Sequence, residues 1–238
     1  MGQAYYRSGG SIYQDSRATV YIIIATVAVF FLQMFLPGIT GEWLSLIPSR
    51  VLFRVEIWRL VSYMFVHGGF SHIFFNMLGL FFFGPVLEKT IGYRRFLILY
   101  SLCGVGAGIV ATFFYYGIGQ SDAHVIGASG AIFGVITAYA VFFPDSKIYL
   151  YFVLPVKAKW MVVIYGALEF AATFQQAGGG RGGIASIAHL SGIVIAYFYI
   201  RGGHGLRKLW YRYKYWQGER ELKKFKVYQG DKDKPTYH

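Results

Sequence analysis

The chain has 238 residues, of which 55% are hydrophobic and only 14% charged, with a mean hydropathy of +0.44. That is too little charge to cover a soluble surface, which argues against an ordinary globular domain. The net charge of +12 would suit a nucleic-acid binder by size alone.

Six apolar stretches follow one another along the chain. Ala18–Leu36 comes first, carries no charged residue and is long enough to cross about 30 Å of hydrocarbon. It ends at Pro37-Gly38. Too long an apolar run, with no small-residue cleavage site after it, sets it apart from a cleavable signal peptide. Tyr6 stands where N-myristoylation wants Ser or Thr. A semi-polar connection, Thr40–Glu56, leads to the second stretch, Phe70–Leu87, which holds one His and one Asn. Connections of this length usually carry structure of their own. Phe96–Ile118 is the third, with Gly104, Gly106 and Gly108 permitting close backbone approach. Its lone Cys103 leaves no disulfide within the chain.

Val125–Phe143 is the fourth, its helix beginning in Gly127-Ala128-Ser129-Gly130 and ending at Pro144-Asp145. Ile148–Val156 is too short to span and reads as an interfacial piece. Trp160–Phe174 and Ile184–Ile200 complete the set, each with one ionisable residue, Glu169 and His189. Glu169 is expected to snorkel towards the outer interface. A Gly-rich link, 175–183, joins these last two.

With six spans and a cytoplasmic N-terminus, 19 of the 23 Lys and Arg residues fall on the cytoplasmic side. That is the positive-inside bias of a multi-pass protein with both termini inside, and it removes the need for a nucleic-acid partner. The chain divides into a cytoplasmic segment 1–17, a membrane domain 18–201, and a basic, aromatic cytoplasmic tail 202–238. Anionic headgroups and an aromatic belt account for the tail, against the alternative of a docking arm for a partner or RNA.

Polar residues inside membrane segments are costly and mark candidate sites. His72 and Asn76 are four apart and share a helix face. Ser129 sits among small residues at the outer end of the fourth helix. His189 lies beside Ala188, Gly192 and Ala196, a small-residue row suited to tight packing against Gly130 and Gly134. A buried serine needs an adjacent base to become a nucleophile, and a neutral histidine supplies one. The developing oxyanion needs fixed donors, for which Asn76, His72 and the Ser129 backbone N–H are candidates. No Asp or Glu lies near His189 in sequence, so the pair reads as a dyad. Taken singly, each residue also fits a structural role: Ser129 bonding back to its own helix, the others bonding between helices.

Gly127-Ala128-Ser129-Gly130, His72-x-x-x-Asn76 and Ala188-His189-Leu190-x-Gly192 resemble the signatures of the rhomboid intramembrane serine proteases. Glu56-x-Trp58-Arg59 and Glu88-x-x-x-Gly92 are similar to that family as well, and the likeness runs from about Glu42 to Tyr199. It implies an all-α, six-transmembrane-helix bundle of the minimal prokaryotic type in the cytoplasmic membrane, with a water-filled cavity opening outward. It further implies Ser129 as nucleophile, His189 as base, and His72 and Asn76 as oxyanion donors. Phe133 stands where the family usually has a Tyr stacked on the base, so the ring is kept and a hydroxyl lost. Single-span membrane proteins are the implied substrates, and membrane lipids are the other partners. No cofactor or metal is called for, since a zinc enzyme would want H-E-x-x-H, which the sequence lacks. A non-catalytic relative that binds membrane clients is the rival reading and should lack the serine or the base. A small-solute transporter would show inverted repeats and charged pathway residues, and neither is present.

Overall fold

A computed structural model describes residues 16–150, 153–177 and 186–202. The N-terminal segment, most of the Gly-rich link and the basic tail lie outside the described residues.

Helix α1 (Arg17–Phe35) stops where Leu36 precedes a proline, a position that disfavours helical backbone. Pro37 then opens α2 (Pro37–Leu44), and Pro48 opens α3 (Pro48–Arg54), each in the first turn, where its missing N–H costs nothing. The connection expected over Thr40–Glu56 is therefore mostly helical. It is followed by α4 (Arg59–Ser62), which tightens into a 3-10 turn, Tyr63–Phe65.

Arg59 is fully buried and holds this region together. Its guanidinium donates to Glu56 Oε2 (2.6 Å), to the Ser45 carbonyl (2.6 Å) and to the Glu42 carbonyl (2.7 Å). Trp58 Nε1 adds a bond to the Trp43 carbonyl at 3.1 Å. Arg59→Ala strands a buried carboxylate and two carbonyls, so it should cost about 3 kcal/mol. Thermal unfolding in detergent should show a clearly lowered midpoint; an unchanged one would mean that water replaces the guanidinium without loss.

The long helices α5 (Phe70–Ile91) and α6 (Tyr93–Gly117) follow, separated by Gly92 at φ 86°. Glu88, buried near the end of α5, accepts from Ala18 N and Thr19 N at 2.9 Å each and from Thr19 Oγ1 at 2.8 Å. These are first-turn amides of α1, which have no partner within their own helix, so α5 caps α1 across the bundle. Helix α7 (Ser129–Phe142) packs against α5, α6 and α8 (Ala158–Ala177). Among the described residues, the final helix, α9, covers 186–202.

The helix of the fourth apolar stretch starts within Gly127-Ala128-Ser129-Gly130, as the sequence suggests, and not at Val125. Residues 125–128 run as irregular backbone, with Val125 bridged to Leu46 by two hydrogen bonds (2.9 and 3.0 Å) and Gly127 at φ 111°. That φ ends any helical run and defers the start of α7 to Ser129. The apolar piece around Ile148–Val156 is an antiparallel hairpin, β1 (Lys147–Leu150) against β2 (Leu154–Lys157), with Ile148 opposite Val156.

Among the described residues the class is all-α apart from that hairpin. Helices α1, α5 and α6 are long and apolar enough to cross a membrane, while α7 is apolar but has only 14 residues. Tyr21, Ile24, Phe31, Met34 and Phe35 of α1 are exposed, as a lipid-facing surface requires.

Candidate active site

The site forms where α7 and α9 approach backbone to backbone. A Cβ added to Gly192 would fall on the carbonyl oxygen of Gly130, and one added to Gly134 would lie 3.3 Å from the Gly192 carbonyl. Only glycine at 192 permits this approach. It carries His189 of α9 to Ser129, the first residue of α7, with Nε2 2.6 Å from Oγ. Ser129 is buried at 8% exposure and the His189 side chain is 17% exposed. The Phe133 ring, one turn along α7, stacks on the imidazole with centroids 4.7 Å apart at 26°.

His72 enters from α5. Its Nδ1 accepts from Gly68 N at 3.3 Å, which leaves the ring proton on Nε2. Gly127 has two reasons to be glycine: its positive φ, and the His72 ring, whose Nε2 a Cβ there would meet at 2.7 Å. Asn76 is buried, and its amide nitrogen donates to the His72 carbonyl at 2.9 Å, so one of its two hydrogens is used within α5. The structure thus brings Ser129, His189 and Phe133 into direct contact, sets His72 beside the loop before Ser129, and turns Asn76 towards its own helix.

His67, just before α5, supports that loop. It is fully buried, lies edge-on to His72 at 4.9 Å, and its Nε2 is 3.5 Å from Ala128 N. Burial, with the neighbouring His72, pushes its pKa down to about 4, so the ring is neutral and its Nε2 accepts. His124, by the same loop, pairs its Nδ1 with Ser45 Oγ at 3.0 Å and so ties the loop to the α2–α3 region.

Glu169 is placed differently from expectation. It does not reach for an outer interface: its side chain is 18% exposed, and Oε1 lies 2.9 Å from His189 Nδ1. Twenty residues of sequence and an intervening link separate the two, which hid the contact. The signal available was the residue itself, a lone carboxylate in an apolar helix, which normally has a buried partner.

Comparison with known proteins gives the chain its relatives. The rhomboid domain family model matches residues 54–204. The putative rhomboid protease YdcA of Bacillus subtilis (strain 168) is 35% identical over 129 residues, 50% of this chain and 60% of that protein. Rhomboid protease GluP of the same bacterium is 29% identical over 138 residues, 56% of this chain and 26% of its own length. Rhomboid protease AarA of Providencia stuartii is 27% identical over 140 residues, 52% of this chain and 50% of its own. The chain thus spans less than two thirds of the length of each of these relatives.

Proposed function

The chain belongs to the rhomboid family of multi-pass membrane proteins, and we propose that it is an intramembrane serine endopeptidase that cuts single-span membrane proteins near the outer end of their transmembrane helix. The observation that carries this reading is the 2.6 Å contact between Ser129 Oγ and His189 Nε2.

As Ser129 Oγ attacks the scissile carbonyl, its proton passes to His189 Nε2, and the same proton is later given to the leaving amine. Water then attacks the acyl-enzyme by the same route in reverse. The negative charge on the carbonyl oxygen develops at the N-terminus of α7, where first-turn amides and the helix dipole favour an anion. His72 Nε2–H and the second amide hydrogen of Asn76 are the side-chain donors from α5. Phe133 holds the plane of the imidazole.

Hydrolysis needs water at depth. A helix of 14 residues is about 21 Å long, some 9 Å short of a typical hydrocarbon layer. With the inner end of α7 at the cytoplasmic boundary, Ser129 lies below the outer surface, in a cavity open to that side. Irregular backbone at that depth is tolerated only when covered by protein, and Val125 and Ala128 are indeed buried. We place the protein in the cytoplasmic membrane of a prokaryote, with six spans and both termini inside, on the charge bias of the sequence.

The test is cleavage of a labelled single-span substrate by purified protein in liposomes, with the cut site mapped by mass spectrometry. Cleavage near the outer membrane boundary supports the reading. Stable binding of substrate without any cut would favour a non-catalytic client-binding protein instead. Asn76→Ala should lower kcat by roughly tenfold to a thousandfold and leave KM nearly unchanged, as for a donor used only in the transition state. An effect on KM alone would make Asn76 a substrate contact or a packing residue.

A further inference from the structure

We propose that Glu169 is a positioning residue for the general base, so that this site works as a Ser129–His189–Glu169 relay and not as a dyad. The inference rests on the peptidase reading above and adds a third side chain to it.

Three observations converge. Glu169 Oε1 lies 2.9 Å from His189 Nδ1, and Nε2 of the same ring lies 2.6 Å from Ser129 Oγ. The carboxylate is therefore on the far side of the imidazole from the serine, where only an orienting group can act. The second observation is the setting of the pair: the Glu169 and His189 side chains are only 18% and 17% exposed, so each is largely shielded from water and is the other's near partner. Ser186 is also buried on α9, three residues before His189 and on the same helix face. Third, an acidic side chain in an otherwise apolar helix is costly, and its nearby alternatives are poor: its neighbours Leu168 and Phe170 are exposed apolar side chains.

The chemistry follows from donor and acceptor roles. An ionised carboxylate only accepts, so Nδ1 must carry the ring hydrogen, and Nε2 is then the lone pair that receives the Ser129 proton. When that proton arrives, the imidazolium formed is paired with a negative charge at Nδ1, while Glu169 itself stays ionised. Without Glu169 the ring is free to adopt the opposite tautomer, in which Nε2 is a donor and cannot act as the base.

The test compares Glu169→Gln and Glu169→Asp with the full-length natural protein, in detergent. The amide of Gln keeps the shape but removes the charge and the fixed acceptor; Asp keeps the charge on a shorter arm. Expected for Glu169→Gln is a fall in kcat of about tenfold or more with KM within about twofold, matched by slower labelling of Ser129 by a phosphonofluoridate. Glu169→Asp should retain more of the rate than Glu169→Gln. On the unsubstituted protein, ¹⁵N NMR of the His189 ring should find Nδ1 protonated at neutral pH, a measurement that needs no variant to fold. Wild-type kcat and labelling in Glu169→Gln, or a His189 ring protonated at Nε2, would overturn the proposal while leaving the peptidase reading intact. Failure of the unsubstituted protein both to cleave and to label would strike the peptidase reading instead.

Discussion

Ser129→Ala and His189→Ala should each lower kcat/KM for a membrane-spanning substrate by at least about a thousandfold, and the double variant should be no worse than either alone. The reason lies in the proposed chemistry: one proton would move between two atoms 2.6 Å apart, and neither atom would have a use without the other. Removing the hydroxyl leaves the imidazole with nothing to deprotonate. Removing the imidazole leaves a serine whose hydroxyl is far too weakly acidic to ionise by itself near neutral pH. Losses of independent residues would multiply; losses within one working unit do not. Both single variants should fold, since Ser→Ala deletes one oxygen and His189 is partly exposed. Purified variants assayed beside the natural protein decide the matter. Substantial turnover by either single variant would remove that residue from the reaction, and multiplicative losses would mean two separate roles. A chelator should leave the rate of the natural protein unchanged, and strong inhibition by one would point to metal chemistry.

Much of this site is visible in the sequence because the membrane makes polar residues conspicuous. His72, Asn76, Ser129 and His189 stand out against apolar runs, and the Ala188/Gly192 row points to the Gly130/Gly134 face that it meets in the structure. Hydropathy also finds where the long helices lie, with ends shifted by only a few residues at α1 and α6. It fails where apolar character does not imply helix. Hydropathy alone runs the fourth stretch back to Val125, whereas the Gly127-Ala128-Ser129-Gly130 sequence places the helix start, and the positive φ of Gly127 is the physical reason. The β1–β2 hairpin is similarly hidden, since four-residue apolar strands have no period long enough to read. Glu169 is the case with the largest consequence. The spacing between residues 169 and 189 carries no information about which helix faces are turned together, and a Gly-rich link lies between them. A charge within an apolar helix raises the question of its partner, but only the packing of α8 against the site answers it.

The closeness of α7 and α9 should itself control the rate, and Gly192→Ala tests this without altering a reacting side chain. His189 and Gly192 are three residues apart on one face of α9, so the contact that seats Gly192 also seats the base. The atom in the way of a new methyl is the Gly130 carbonyl oxygen, which is backbone and has no rotamer to escape into. The two helices must therefore separate, and a displacement of about 1 Å at reacting groups is worth roughly a hundredfold in rate. Gly192→Ala should lose at least that much activity and unfold more easily than the natural protein. Gly130→Ala should be less severe, because its Cβ would meet the Ala107 Cβ at 2.9 Å and the Ala188 carbonyl at 3.1 Å, contacts that smaller shifts relieve. Gly166→Ala on α8 serves as the control: its nearest neighbour would be Ile193 Cδ1 at 3.7 Å, an ordinary van der Waals contact, so activity should stay near that of the natural protein. The expected order of damage is thus Gly192, then Gly130, then Gly166, read as initial rates on one substrate with melting temperatures measured in parallel. A Gly192→Ala variant with the natural rate would mean that the Ser129–His189 distance is set by something other than the α7–α9 contact, with the α8 side of His189 as the remaining support.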